Sequence, residues 1–208
     1  PMQYAVLNRL FPCPKTILGD FSQRLNPNLA GTLADLQSQY PGAGFAALHK
    51  SYRPTCEIIE FAGQILKVPH LEAIQRHGGK PTVRQCGSRE EQLAHIRDAV
   101  RAFAQSGYAT MGILAKTQQE ADALFEELGR EEIQLISPGS SSFASGVSIA
   151  SVQMSKGLEF DEVAVMDVDS SNYHSQHHRH LLYVACTRAM HRLNLLHRGE
   201  KSALLGFA

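Results

Sequence analysis

Four short stretches combine residue types suited to holding a polyphosphate anion. Gly19-Asp20-Phe21-Ser22-Gln23 follows an apolar stretch. Its glycine permits a sharp exit, the Asp20 carboxylate can orient water or a cation, and the Gln23 amide both donates and accepts hydrogen bonds, which suits the sensing of a terminal phosphate. His49-Lys50-Ser51-Tyr52-Arg53-Pro54 offers the Arg53 guanidinium as a rigid fork for a phosphate and the Tyr52 ring as a flat face for a base. In Gln153-Met154-Ser155-Lys156-Gly157-Leu158-Glu159-Phe160, the Lys156-Gly157 backbone lets a ligand approach closely, and Glu159 can accept from a hydroxyl. Leu182-Tyr183-Val184-Ala185-Cys186-Thr187-Arg188-Ala189 sets Arg188 beside a buried helical face of Leu182, Ala185 and Ala189. Each stretch also has a plainer reading: a Gly-Asp turn, an exposed basic loop, a Lys-Gly hairpin turn, and an interface salt bridge for Arg188.

The elements that must carry these loops alternate along the chain. Helices are expected at 2–11, at 32–39 before Pro41-Gly42, and at 55–66, where Ile58, Ile59, Ala62, Ile65 and Leu66 share one face. Ser88 with Glu91 and Thr117 with Glu120 have capping-box spacing. They open helices striped by Leu93, Ile96, Val100 and Phe103 and by Ala121, Leu124, Phe125 and Leu128. A further helix is expected at 181–189, and strands at 15–18, 45–48, 110–114, 147–152, 163–168 and 193–196. This alternation predicts an α/β fold with a parallel sheet covered on both faces. In such folds ligands sit where loops leave the carboxyl ends of the strands. No repeat or long linker interrupts the pattern, so residues 1–208 read as a single domain.

Composition narrows the function class. Apolar residues make up 43% of the 208, which excludes a wholly disordered chain. No apolar run approaches the ~18 residues of a bilayer span. Twenty basic and twenty acidic side chains balance, which argues against a general polyanion binder but allows local phosphate contacts. The balance is uneven along the chain: residues 1–88 hold nine basic and five acidic side chains, 89–169 six and fourteen, and 170–208 five and one. Cys13, Cys56, Cys86 and Cys186 lie far apart with no C-x-x-C pair, so reduced thiols of a cytoplasmic protein are expected rather than zinc or disulfides. The start carries no secretory pattern. Pro1-Met2-Gln3 opens in mid-helical composition, as expected of a piece of a longer intracellular protein.

Taken in order, the four stretches resemble motifs III, IV, V and VI of Rep/UvrD-type superfamily 1 helicases. The runs SKGLEFDEV and LLYVACTRAMHRL are highly specific, and the resemblance extends from about residue 17 to 197. It implies the second RecA-like domain of an ATP-dependent DNA helicase or translocase: a P-loop NTPase fold without its own P-loop. The resemblance also implies roles. Gln23 and the arginines Arg53 and Arg188 would attend the γ-phosphate of ATP, with Arg188 acting as an arginine finger. Asp20 would couple nucleotide to DNA, and Tyr52 would stack on adenine. Lys156, Gly157 and Glu159 would lie by the nucleotide, Glu159 near the ribose. Gln153 and Ser155 would touch single-stranded DNA. Residues 2–11 with Pro12 resemble the segment after that family's Walker B strand.

Absences and departures refine the resemblance. No G-x-x-x-x-G-K-[ST] occurs: Gly79-Lys80 has Ile74 and Pro81 where Gly and Ser/Thr are needed. Asp167 and Asp169 read as a strand-end loop. ATP and Mg2+ would therefore be completed by an upstream RecA-like domain, and this chain alone would not hydrolyse ATP. Asn26 and Asn28 stand where the family usually has aromatics, and Gln153 where it commonly has His, which removes stacking of ~1–3 kcal/mol per base. About 100 residues separate motifs IV and V, resembling the compact helicase IV/HelD-like branch. A HelD-like factor acting on RNA polymerase, or a non-catalytic binding module, is the alternative. His174, His177, His178 and His180 read as a solvated loop, and no metal site is expected.

Overall fold

In the computed structural model, which describes residues 2–23, 25, 32–69, 71–129, 133–140 and 144–207, every ladder of the main sheet is parallel. The elements run α1 (Met2–Leu10), α2 (Leu33–Gln39), β1 (Lys50–Ser51), α3 (Cys56–Ile65), β2 (Glu72–Ala73), β3 (Thr82–Gln85), α4 (Arg89–Ala104), β4 (Thr110–Ala115), α5 (Gln118–Leu128), β5 (Ile133–Ile136), β6 (Gly146–Ser151), β7 (Phe160–Val165), α6 (Gln176–Cys186) and β8 (Ala189–His197). Six strands lie in the order β3-β8-β7-β4-β6-β5, while β1 and β2 pair separately. This is the helix-flanked parallel sheet expected of the pattern.

Side-chain alternation along the central strands sorts the core into two layers. Leu114, Val163 and Val165 pack with Ile58, Ala62 and Ile65 of α3 and with Leu182, Ala185 and Cys186 of α6. Their neighbours Ile113, Ala164 and Met166 pack on the opposite face with Ile96 and Phe103 of α4 and Ala121 and Leu124 of α5. Gly112 in β4 has a steric reason: a Cβ there would lie 2.7 Å from the ring of Phe160. The helix starts follow local chemistry. Thr117 and Glu120 form a reciprocal capping box, whereas Ser88 caps the Glu91 N–H and the Glu91 carboxylate turns back to the Gly87 N–H.

Several expectations fail for physical reasons. Residues 15–18 and 45–48 form no strand, because no neighbour offers them a ladder; Leu18 is 90% and Leu48 95% exposed. Pairing begins later, at Lys50. The histidine run is not a loop: His177, His178 and His180 lie in the first turns of α6, capped by Ser175 with His178 returning the bond. The edge strands β3 and β5 were not foreseen. Residues 152–159 are no hairpin but a crossover between β6 and β7, which both pair with β4. Asn26 and Asn28 lie outside the described residues.

Candidate functional site

Arg188 sits between the end of α6 and the first residue of β8. Only 6% exposed, it directs Nε to the Val184 carbonyl at 3.2 Å, Nη1 to the Leu158 carbonyl at 3.1 Å and Nη2 to Oε1 of Gln23 at 3.1 Å. Among the described residues all of its hydrogen-bond acceptors are neutral. Burial pulls its pKa below the usual arginine range, Glu159, Asp20 and Tyr183 push it back, and Arg53 lowers it again. A guanidinium this buried, with no carboxylate hydrogen-bonded to it, is under-compensated and favours an anion beside it.

The other candidates gather around it to different degrees. Arg53 is exposed and ion-paired with Glu159 through Nη1 and Oε1. Its segment is anchored where the Thr55 N–H donates to the Met190 carbonyl at 3.2 Å. Gln23 donates through Nε2 to Oδ2 of Asp20 at 2.8 Å, so its amide is oriented with the oxygen toward Arg188. Its loop docks on α6, where His180 Nδ1 lies 3.3 Å from the Ser22 carbonyl. Tyr52 is exposed beside Arg53.

Residues 153–159 connect the two ends of the sheet. Gln153, Lys156 and Gly157 are exposed, and Gly157 has φ +87°, a value that favours glycine. Ser155 faces inward: it is fully buried and its hydroxyl donates to the Val152 carbonyl at 2.8 Å, shaping the turn. Gln153 leaves the carboxyl end of β6, while Glu159 arrives at the amino end of β7, where the Phe160 N–H donates to the Arg188 carbonyl at 3.0 Å. The convergence of Arg53, Glu159 and Arg188 therefore occurs at the amino edge of the sheet, not at the carboxyl ends where the fold class placed ligands.

The fold has known relatives. Residues 146–196 match the UvrD-like helicase C-terminal domain. The C-terminal domain of a possible DNA helicase from Lactobacillus plantarum WCFS1 is 33% identical, with a TM-score of 0.64 over 74% of this chain and 92% of that one. The chain belongs to the UvrD-like helicase C-terminal domain family. The helicase nonstructural protein 10 of an arterivirus, in complex with DNA, is 14% identical with a TM-score of 0.39, over 68% of this chain and 30% of that one. No curated protein is significantly similar.

The carboxyl edge of this helicase domain carries ion pairs of its own. Asp167, at φ +51°, accepts from Arg89 Nη1 at 3.1 Å and from Arg198 Nε at 2.9 Å. A polar cavity of about 460 Å3 beside them includes Asp169, Ser171 and Asn172 in its lining. At the amino edge the structure adds residues that sequence reading missed. His191 stacks on Tyr108 with centroids 4.7 Å apart, Arg192 lies over the same ring, and Arg76 reaches His191. His191 and Arg192 follow Arg188 by three and four positions, within the same specific run. Arg76 carries no signal, since nothing in residues 67–81 repeats.

Proposed function

We propose that this chain is the C-terminal motor domain of an ATP-dependent superfamily 1 DNA helicase or translocase, and that Arg53 and Arg188 act together on the terminal phosphates of ATP. The supporting observation is that the buried Arg188 guanidinium, with neutral acceptors alone, shares one neighbourhood with the exposed Arg53. Two cationic forks and an oriented Gln23 amide fit triphosphate oxygens, whose charge spreads in the transition state. Tyr52, Asp20, Lys156, Gly157 and Glu159 would complete the nucleotide contacts, with Tyr52 against the base. Gln153, exposed beyond β6, would meet single-stranded DNA, and Ser155 would act by holding that turn.

An upstream RecA-like domain would supply the phosphate cradle. Magnesium, when bound, neutralises charge between phosphate oxygens. Its protein ligands would come from that domain. Arginines on two separate loops engage ATP only when the cleft closes, which couples hydrolysis to domain motion.

The test is steady-state ATP hydrolysis with single-stranded DNA, in protein that includes the nucleotide-binding domain. Arg53→Ala and Arg188→Ala should each lower turnover by about 10³-fold or more. Wild-type turnover in either variant overturns the reading.

A further inference from the structure

Arg53 is exposed, yet its segment is held along its length by residues 72–76. The Glu72 N–H donates to the His49 carbonyl at 2.7 Å, the Ile74 N–H to the Ser51 carbonyl at 3.2 Å, and the Cys56 N–H to the Arg76 carbonyl at 2.8 Å. Arg76 then uses both ends of its guanidinium. Nη1 donates to the Arg53 carbonyl at 3.0 Å, while Nη2 lies 2.5 Å from Nε2 and 3.2 Å from Nδ1 of His191 on β8. His191 is three residues beyond Arg188.

We propose that Arg76 is a positioning residue for Arg53, clamping the Arg53 carbonyl to His191 and so fixing the separation of the two arginine-bearing segments. The clamp rests on the reading that Arg53 acts on the nucleotide. Nη2 reaches both ring nitrogens of His191, so the guanidinium is held against the ring as a whole. Burial, Arg76 and Arg192 all hold His191 below the ordinary histidine value against the pull of Asp161, which favours the neutral ring beside the guanidinium. Tyr108 stacks on the same ring. Only a planar fork reaches two partners in different directions at once; an ammonium on a flexible stem supplies the charge without the geometry.

The experiment measures DNA-stimulated ATP turnover and melting temperature of the intact motor for Arg76→Ala, Arg76→Lys, Arg53→Ala and the double variant R53A/R76A. Misplacement of a reacting group by about 1 Å costs up to ~10²-fold. Arg76→Ala and Arg76→Lys should therefore both lose about 10- to 100-fold in kcat. Arg76→Lys keeps the charge and carries the comparison if Arg76→Ala folds poorly. The double variant should be no slower than Arg53→Ala alone, because with no cation at position 53 the clamp has nothing left to position. Wild-type kcat in Arg76→Lys, or losses that multiply in the double variant, would overturn the clamp. Wild-type turnover in Arg53→Ala removes the underlying reading instead. Loss in Arg53→Ala beside normal turnover in Arg76→Lys overturns the clamp alone.

Discussion

Arg188 donates to the side-chain oxygen of Gln23 at 3.1 Å, joining residues 165 positions apart. Because the Gln23 amide also donates to Asp20 at 2.8 Å, the three side chains form one chain of bonds with a fixed sense: carboxylate, amide, guanidinium. Gln23→Ala breaks it at the centre while leaving Arg188 its bonds to Val184 and Leu158. Turnover should fall at least about tenfold with the KM for ATP nearly unchanged, as for an interaction made in the transition state. A change confined to KM would contradict this role.

Glu159 supplies the negative charge that Arg53 pairs with, and it is the largest upward influence on the Arg188 pKa. Removing that charge should leave two guanidiniums with less compensation. Pyrophosphate, which has no ribose, probes them alone. Calorimetry on this domain should show pyrophosphate binding more tightly to Glu159→Gln than to wild type, by up to about fivefold for a partly exposed pair worth roughly 1 kcal/mol. Weaker binding would mean that the carboxylate itself builds the anion site.

Phe160 links Glu159 to Arg188 and presses on Gly112. Gly112→Ala must displace that ring. Overpacking of this kind costs about 1–3 kcal/mol, and each kcal/mol lowers the Tm of a domain this size by about 2–4 °C. A melt of the variant superimposable on wild type would show that the ring moves freely.

His177, His178 and His191 all have pKa values pulled below the ordinary 6.5, with burial the first cause in each. Charged neighbours, Lys116 beside His177 and His178 and Arg76 beside His191, act in the same direction. The unfolded chain therefore binds protons at pH values where the folded one does not. Stability from these groups is fully present above about pH 7 and is lost as pH falls through and below 6.5. Thermal melts should hold level from pH 8 to 7 and drop between 6.5 and 5. An unchanged Tm across that lower range would show that these rings titrate alike in both states.

Much of the fold could be read from the chain, and the failures share a cause. The strand runs around Ile113, Ile149, Val163 and Leu195 are largely apolar and buried, so pattern and burial agree. Residues 15–18 and 45–48 carry the same local signal but meet no partner strand, and pairing is not a local property. The edge strands β3 (Thr-Val-Arg-Gln) and β5 (Ile-Gln-Leu-Ile) mix polar residues into short runs, because one side of each lacks a neighbour. The start of α6 was hidden because His178, not Glu or Gln, closes its capping box. Arg53, Glu159, Gln23 and Arg188 could be found from residue type and order. Their place at the amino edge follows from Arg188 preceding its strand rather than following it. Arg76 was invisible, since only three-dimensional pairing brings residues 53, 76 and 191 together.

The central claim is that Arg53 and Arg188 bind one terminal phosphate in the intact motor. Calorimetry with ADP alone and with ADP plus aluminium fluoride, a mimic of the transferring phosphoryl group, tests it most directly. Wild type should bind the mimic complex far more tightly than ADP, and Arg53→Ala and Arg188→Ala should each lose that preference while keeping wild-type affinity for ADP. Retention of the full preference by both variants would contradict the account.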